Sequence, residues 1–359
     1  KKMKTYIKFI TKIFLNSFFY VLIIIFFLTF ILNLLGELDF FKEINVSTFF
    51  PIYLSLLNSP TYIFELFPFI FLITTQLFFI TLFSNNELNI FKYSGLKNSN
   101  IIIILTSISL FLGFLIITIF YNLSSNLKNF YLDLKTNYTQ DGKYLAVINK
   151  NGLWIRDKID NKLIIINSSK IDGTFLIDNF ITEFDENYQV LRNIRSTKID
   201  IKNNTWKIFK PEIFIENTSQ KKEEIEINSN FNYARIQTLF SNLSSLSLIK
   251  LFELRKNYIS LNLSTVEINI QIHKIISYPI YLMLMTMFSA VIMLNSKKFK
   301  NNTLKILIGL FLCVIIYYLN NLFNVLGATE KIHFILSVWL PLLFLTLIIL
   351  LMTYKINEK

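Results

Sequence analysis

The chain has 359 residues, 53% of them hydrophobic and only 17% charged, with a mean hydropathy of +0.48 and a formal net charge of +12. This apolarity excludes an ordinary water-soluble domain. Because the positive charge is gathered in short segments between apolar runs, no nucleic acid is needed to explain it.

Six windows lack Asp, Glu, Lys and Arg altogether: Ile13–Gly36, Leu66–Asn86, Asn98–Leu127, Ile275–Ser296, Ile306–Thr329 and Ile332–Tyr354. Each meets the roughly 20 residues that a helix needs to cross about 30 Å of hydrocarbon. The first follows Lys1, Lys2, Lys4, Lys8 and Lys12 but is too long for a signal-peptide core and has no small-residue cleavage site, so it reads as a retained span. With the N-terminus inside, the short inner segments hold these five lysines with Lys92, Lys97, Lys297, Lys298, Lys300, Lys305, Lys355 and Lys359. The short outer segments hold only Lys42 and Lys331. The excess places both termini in the cytoplasm and the long polar block after the third window on the outer side of the membrane.

Within residues 85–97, Asn85 and Asn86 are cap candidates, Glu87 lies in a first turn and Gly95 near an end, which predicts a short helix on the inner side. The block Lys128–Lys274 reads as β structure. Its β-branched and aromatic runs start at Tyr144, Leu163, Phe175, Gln189, Trp206, Ile213 and Ile225. Turn pairs alternate with them at Asp141-Gly142, Asn151-Gly152, Asp160-Asn161, Asp172-Gly173 and Asn203-Asn204. Many short strands at near-regular spacing predict a sandwich or jelly roll, with a helical pattern returning to the membrane from about Ser244 to Tyr258. The fold class is thus an α-helical integral membrane protein of six transmembrane helices with an inserted all-β jelly-roll domain. Its divisions are residues 1–127, 128–265 and 266–359.

Catalytic signals are sparse. No phosphate-binding loop or H-E-x-x-H pair occurs, and His273 and His333 fall at opposite ends of different spans, where they read as interfacial side chains. The single cysteine, Cys313, lies within the fifth window, which excludes an intramolecular disulfide. The uncharged windows offer no deep ionisable group of the kind that intramembrane proteases and proton-driven carriers need. The chain therefore reads as a non-enzyme that binds no cofactor directly and needs a separate motor for any energy-consuming role.

Several short segments, in this order and spacing, carry a resemblance over nearly the whole chain. They are Pro60 with Glu65-Leu66-Phe67-Pro68, Glu87-Leu88 through Ser94-Gly95-Leu96, and His273-Lys274 with Tyr278-Pro279. Tyr317-Tyr318 with Leu326-Gly327, and Val338-Trp339-Leu340-Pro341, complete the set. The chain resembles the LptF/LptG family of lipopolysaccharide-export permeases, whose members carry three spans, a periplasmic jelly roll and three more spans. Gly152-Leu153-Trp154-Ile155-Arg156-Asp157 is closer to the pattern of LptG than of LptF.

The resemblance implies a heterodimer with LptF, a docked LptB ATPase dimer that hydrolyses ATP, and delivery of lipopolysaccharide to LptC and LptA. It makes the helix near Glu87, with Leu88, Phe91 and Gly95, the coupling element. It places phosphate contacts at the outer end of the first span. There only Lys42 is basic, beside Glu37, Asp39 and Glu43, so Lys42, Lys128 and Lys135 are the candidates. Spans one and five form the lateral gate by position, while Tyr317, Tyr318, Trp339 and Pro341 read as packing residues rather than a ligand wall. The alternatives are an LptF-type subunit of the same complex, a mechanotransmitting permease of the macrolide-exporter type, in which a large domain follows the first of four spans, and a membrane-anchored β-scaffold, for which six spans would be unexplained.

Overall fold

The computed structural model describes residues 5–42, 44, 46–47, 49–136, 138, 145–149, 152–159, 162–215, 218–233, 236, 243–260, 264–294 and 302–357. They form two compact units, Lys1–Tyr131 with Asn269–Lys359, and Leu132–Ile268.

In the first unit the charge-free windows are helices. α1 (Thr5–Phe40) and α2 (Phe49–Ser84) are followed by α3 (Glu87–Tyr93). Then come α4 (Asn98–Leu115), a π-helical turn (Ile116–Tyr121) and α5 (Asn122–Thr136). After the β unit and its helix α6 (Leu248–Ser260) come α7 (Val266–Leu294), α8 (Asn302–Ala328) and α9 (Phe334–Asn357). Among the described residues six helical stretches are long and apolar enough to cross a membrane, with α4 and α5 counted as one.

The helices outrun the windows. α2 starts at Phe49 rather than near Leu66, because Pro60 and Pro68 sit inside it without ending it. At 1.5 Å per residue its 36 residues reach about 54 Å, well beyond the hydrocarbon layer. The extensions bring charges into helices, among them Glu37 in α1, Glu65 in α2 and Lys274 in α7. The uncharged windows stand, but the helices that contain them carry ionisable side chains toward their ends.

Aromatic and branched side chains fill the bundle, with Phe14, Phe67, Phe71, Phe78 and Phe79 fully enclosed. Polar bonds between helices sit inside this core: Thr286 Oγ1 donates to Ser109 Oγ at 2.8 Å and Ser289 Oγ to the Leu72 carbonyl at 2.9 Å. In lipid such bonds tie helices that hydrophobicity alone would not hold together. Lys305, expected as a loop charge, is in α8 and only 4% exposed. Its Nζ donates to the Met293 carbonyl at 3.0 Å, satisfying a backbone acceptor in the last turn of α7.

The second unit holds an antiparallel sheet, as expected. Its strands are β1 (Leu145–Asn149), β2 (Gly152–Ile159), β3 (Lys162–Asp172), β4 (Phe175–Phe184) and β5 (Val190–Asp200), then β6 (Thr205–Phe209), β7 (Glu212–Ile215), β8 (Thr218–Lys221) and β9 (Glu224–Asn228). The order is β1-β2-β3-β4-β5-β6-β9, with β7 paired to β5 and β8 to β7. The expected strands appear, most of them longer, and α6 lies where the helical pattern was read. β2 and β8 were missed: β2 reads in the sequence only as a family segment, and all four residues of β8 are exposed and polar, with its pairing coming from β7 alone. Asp172-Gly173 makes its turn, with Gly173 at φ 57°. Asp141-Gly142, Asn151, Asp160-Asn161 and Tyr144 lie outside the described residues.

Alternate side chains of the strands face one core of Leu153, Ile155, Ile166, Leu176, Ile181, Ile194, Trp206 and Phe231. Asp157 of β2 belongs to the same inward row and is fully buried. Its carboxylate accepts from Ser229 Oγ (2.8 Å), Asn230 N (2.9 Å) and Asn230 Nδ2 (2.9 Å). Ser229 follows directly on β9, at the far end of the sheet order, so Asp157 clasps the end of the sheet back onto β2 and closes a roll. Gly152, at φ 112°, begins the same strand where a Cβ would lie 2.2 Å from the Ser168 carbonyl oxygen, so a side chain is excluded twice over.

Candidate functional site

The short helix α3 stands between α2 and α4. Asn86 occupies its N-cap in the left-handed conformation (φ 55°) and makes no side-chain cap bond, so Glu87 in the first turn supplies the favourable charge. At the other end Leu96 N donates to Phe91 O (2.9 Å) and Gly95 N to Lys92 O (3.0 Å), with Gly95 at φ 80°. This paired closure requires a residue free to adopt positive φ, which accounts for Gly95.

Leu88 is buried in the helical core, and Phe91 packs against that core and edge-on to Phe9 at 6.1 Å. They fasten α3 to the bundle. Glu87 is half-buried, with Oε2 enclosed and lacking a hydrogen-bond partner among the described residues. The outward face is made instead by Ile90, 61% exposed, and Tyr93, 91% exposed. Sequence reasoning missed these two. Apolar residues off the inward stripe of a seven-residue helix are the signal that would have found them.

At the opposite end of the bundle Lys42 follows α1 and is exposed. Glu37, read as one of its acidic neighbours, is instead only 3% exposed and accepts from Tyr131 Oη at 2.7 Å, joining α1 to α5. Asn58 Nδ2 donates to Asn33 Oδ1 at 3.2 Å between α2 and α1. Glu43 lies outside the described residues. Lys128 and Lys135 are seven residues apart on α5, hence on one helix face, and both are half-buried.

A polar group of α2, α5 and α7 was not assembled from the sequence. Pro68 has no N–H, so the Phe64 carbonyl four residues earlier has no helical donor, and Tyr278 Oη donates to it. The Phe64 ring stacks on Tyr278 at 4.5 Å and tilts against Tyr121 at 4.9 Å. Glu65 follows Phe64 on α2 and is exposed, and Lys274 lies one turn before Tyr278 on α7 and is half-buried. Both entered the sequence reading only as parts of recognisable segments.

His273 and His333, expected at opposite ends of different spans, come together on one side chain: both rings lie against Phe334, with centroids 5.5 and 4.4 Å away. The loop between α8 and α9 returns the chain to the end of the bundle where α7 begins. Trp339 Nε1 also donates to His273 Nδ1 at 3.3 Å, which ties α9 to α7 and makes Trp339 a packing residue with a polar partner. Tyr317 and Tyr318 are exposed on α8 and meet edge to face at 5.8 Å.

α1 and α8 are the least enclosed spans, with 17% and 11% of their most apolar windows buried. An arrangement of six spans, an inserted antiparallel roll, two uncovered helices and a short outward-facing connector suits a subunit that works against other molecules in and beside a membrane. No curated protein matches the chain. The sequence model of the family described as "Lipopolysaccharide export system permease LptF/LptG" matches residues 8–355. With that match covering nearly its whole length, the chain belongs to the LptF/LptG family of lipopolysaccharide-export permeases.

Proposed function

We propose that the chain is the membrane subunit of an ATP-driven exporter that draws lipopolysaccharide from the inner membrane and passes it into its β roll, in the role of LptG. The choice of LptG over LptF rests on Gly152 to Asp157. LptF is its partner permease, an LptB dimer hydrolyses the ATP, and LptC and LptA receive the lipid. The lysine excess puts both termini and α3 in the cytoplasm and the β unit in the periplasm.

The observation that carries this reading is α3, fixed from within by Leu88 and Phe91 and presenting Ile90 and Tyr93 outward. An exposed aromatic beside an exposed aliphatic on a rigid short helix is a fitting anchor for a partner's groove. The uncovered α1 and α8 suit a lateral gate. Lys42, Lys128 and Lys135 are the phosphate contacts, which lysine serves as a point charge. A lipid with several acyl chains needs a covered route through water, since each exposed methylene opposes its departure by about 0.8 kcal/mol.

The deciding experiment is affinity purification of the tagged chain from its own membranes. One related permease and two copies of an ATPase should accompany it, and ATP hydrolysis should follow the complex. Recovery of a lipid-exporting complex with this permease alone would remove the heterodimer, and absence of any ATPase would remove the motor. Topology is checked separately. In a Cys313→Ser background, Lys158→Cys on exposed β2 should react with an impermeant thiol reagent in cells whose outer membrane alone is opened. Lys97→Cys, exposed just before α4, should react only after the inner membrane is broken. Equal labelling of both would overturn the orientation.

A further inference from the structure

We propose that the groove between α1 and α4, at the end of the bundle where α1 begins, is a site for one anionic phospholipid, with an acyl chain in the groove and the phosphate against Lys8, Lys12 and Lys97. The site goes beyond the export reading and stands or falls apart from it.

The groove belongs to two helices that start at the same end, since one span, α2, and the short α3 separate them. It encloses about 450 Å³, within the roughly 300 to 1,000 Å³ of small-molecule sites. Ile7, Thr11 and Leu15 line it from α1, four residues apart and so on one stripe, and Ile103, Ser107 and Phe111 do the same from α4. Among the described residues that line it, the two hydroxyls are spent on their own helices. Thr11 Oγ1 donates to the Ile7 carbonyl at 2.8 Å, and Ser107 Oγ to the Ile103 carbonyl at 2.7 Å. A lining with its donors already used suits an apolar chain.

Depth suits a lipid of the nearer leaflet. On α4 the lining from Ile103 to Leu112 falls wholly inside an uncharged window. It is about 14 Å long at 1.5 Å per residue, close to the roughly 15 Å of one leaflet's hydrocarbon. On α1 the groove passes the last charge, Lys12, and reaches Leu15 in the uncharged window that follows.

Charge selects the headgroup. Lys8 and Lys12 are exposed and follow Ile7 and Thr11 by one position, which sets them at the rim of the groove stripe, on the side away from buried Ile10 and Phe14. Lys97 is exposed immediately before α4. α1 carries no acid before Glu37 and α4 none at all, so no carboxylate on either helix neutralises these lysines. Lysines at the rim of an apolar cleft between spans match an anionic lipid, phosphate at the surface and chain below.

The full-length chain in neutral detergent, with whatever subunits purify with it, is titrated with phosphatidylglycerol and with phosphatidylethanolamine of the same acyl chains. Phosphatidylglycerol should bind more tightly. Lys8→Gln with Lys12→Gln should weaken it by about tenfold or more and leave phosphatidylethanolamine unchanged, while Lys8→Arg with Lys12→Arg keeps the binding. Lys1, Lys2 and Lys4 remain in both variants to hold the orientation. Ser107→Trp, a substitution at an exposed position, fills the groove and should weaken both lipids. Equal affinity of the wild-type chain for the two lipids, or equal loss of both in the glutamine variant, overturns the headgroup contact. Undiminished phosphatidylglycerol binding in Ser107→Trp overturns the groove. Displacement by equimolar lipopolysaccharide would make the occupant the exported lipid, and binding by the chain alone that vanishes once a partner subunit is present would give the groove to a protein helix; either result overturns the proposal.

Discussion

Asp157→Ala should lower the stability of the β unit by about 3 to 5 kcal/mol, because it strands the three donors that converge on a fully buried carboxylate. For a unit of this size that corresponds to a melting shift of about 10 °C. Asp157→Asn should fall between, since one of its two side-chain atoms faces donors with another donor. Thermal unfolding followed by Trp fluorescence suits the measurement: Trp206 is enclosed in the same core and its Nε1 donates to the Phe231 carbonyl at 2.7 Å, beside the clasp. An unchanged melting temperature in Asp157→Ala would show that β2 and the segment after β9 stay together without the carboxylate.

The Gly152–Asp157 segment marks both the success and the limit of reading by pattern. It was legible as a family signature, yet its physical reasons were not. Gly152 is needed because of Ser168 on the next strand, and Asp157 because of Ser229 and Asn230, each distant along the chain. The six spans were legible because hydrocarbon forbids unpaired charge. Their true lengths were not, because beyond the hydrocarbon a helix persists for reasons of packing, as α2 does through Pro60 and Pro68. Strand β8 carries no apolar pattern of its own and exists only through β7.

Tyr93→Asp combined with Ile90→Asp should leave the protein folded and inserted while weakening its hold on the ATPase by about 30-fold or more, the effect of losing an anchor worth about 2 kcal/mol. Both side chains point away from the bundle, so the change costs little internally. Leu88→Asp is the contrasting case. It buries a charge in the helical core and should reduce the yield of folded protein before any question of docking arises. Glu87→Lys should have a smaller effect, since reversing a charge in the first turn costs about 0.3 to 1 kcal/mol through the helix dipole alone. ATPase recovered per folded permease separates the cases. Full recovery with the Ile90 and Tyr93 double variant would take the docking role away from α3.

Of the candidate site, α3 was legible because capping and glycine rules are local. Its working face was not, since which side of a seven-residue helix looks outward depends on Phe9 and on the bundle behind it. The contact of Phe64 with Tyr121 and Tyr278 illustrates the same limit: three rings on three spans have no sequence signal for proximity. For that reason too, Glu37 was read only as an acidic neighbour of Lys42 and not as the acceptor for Tyr131.

The π-helical turn at Ile116–Tyr121 takes up one residue more than an α-helical turn would hold. Its hydrogen bonds close one residue later, so the extra residue is absorbed within the turn and the two halves of the third span keep their faces. Deleting one residue there, such as Ile119, would restore a regular helix with Gly113 still against Pro279 and Tyr131 still within reach of Glu37. Forcing the same residues into an α-helix without a deletion would instead swing the outer half by about 100° and part Tyr131 from Glu37. The turn acts as a vernier: it slips the sequence by one place against the faces of the helix, so a stripe spaced for an α-helix on one side continues one residue late on the other.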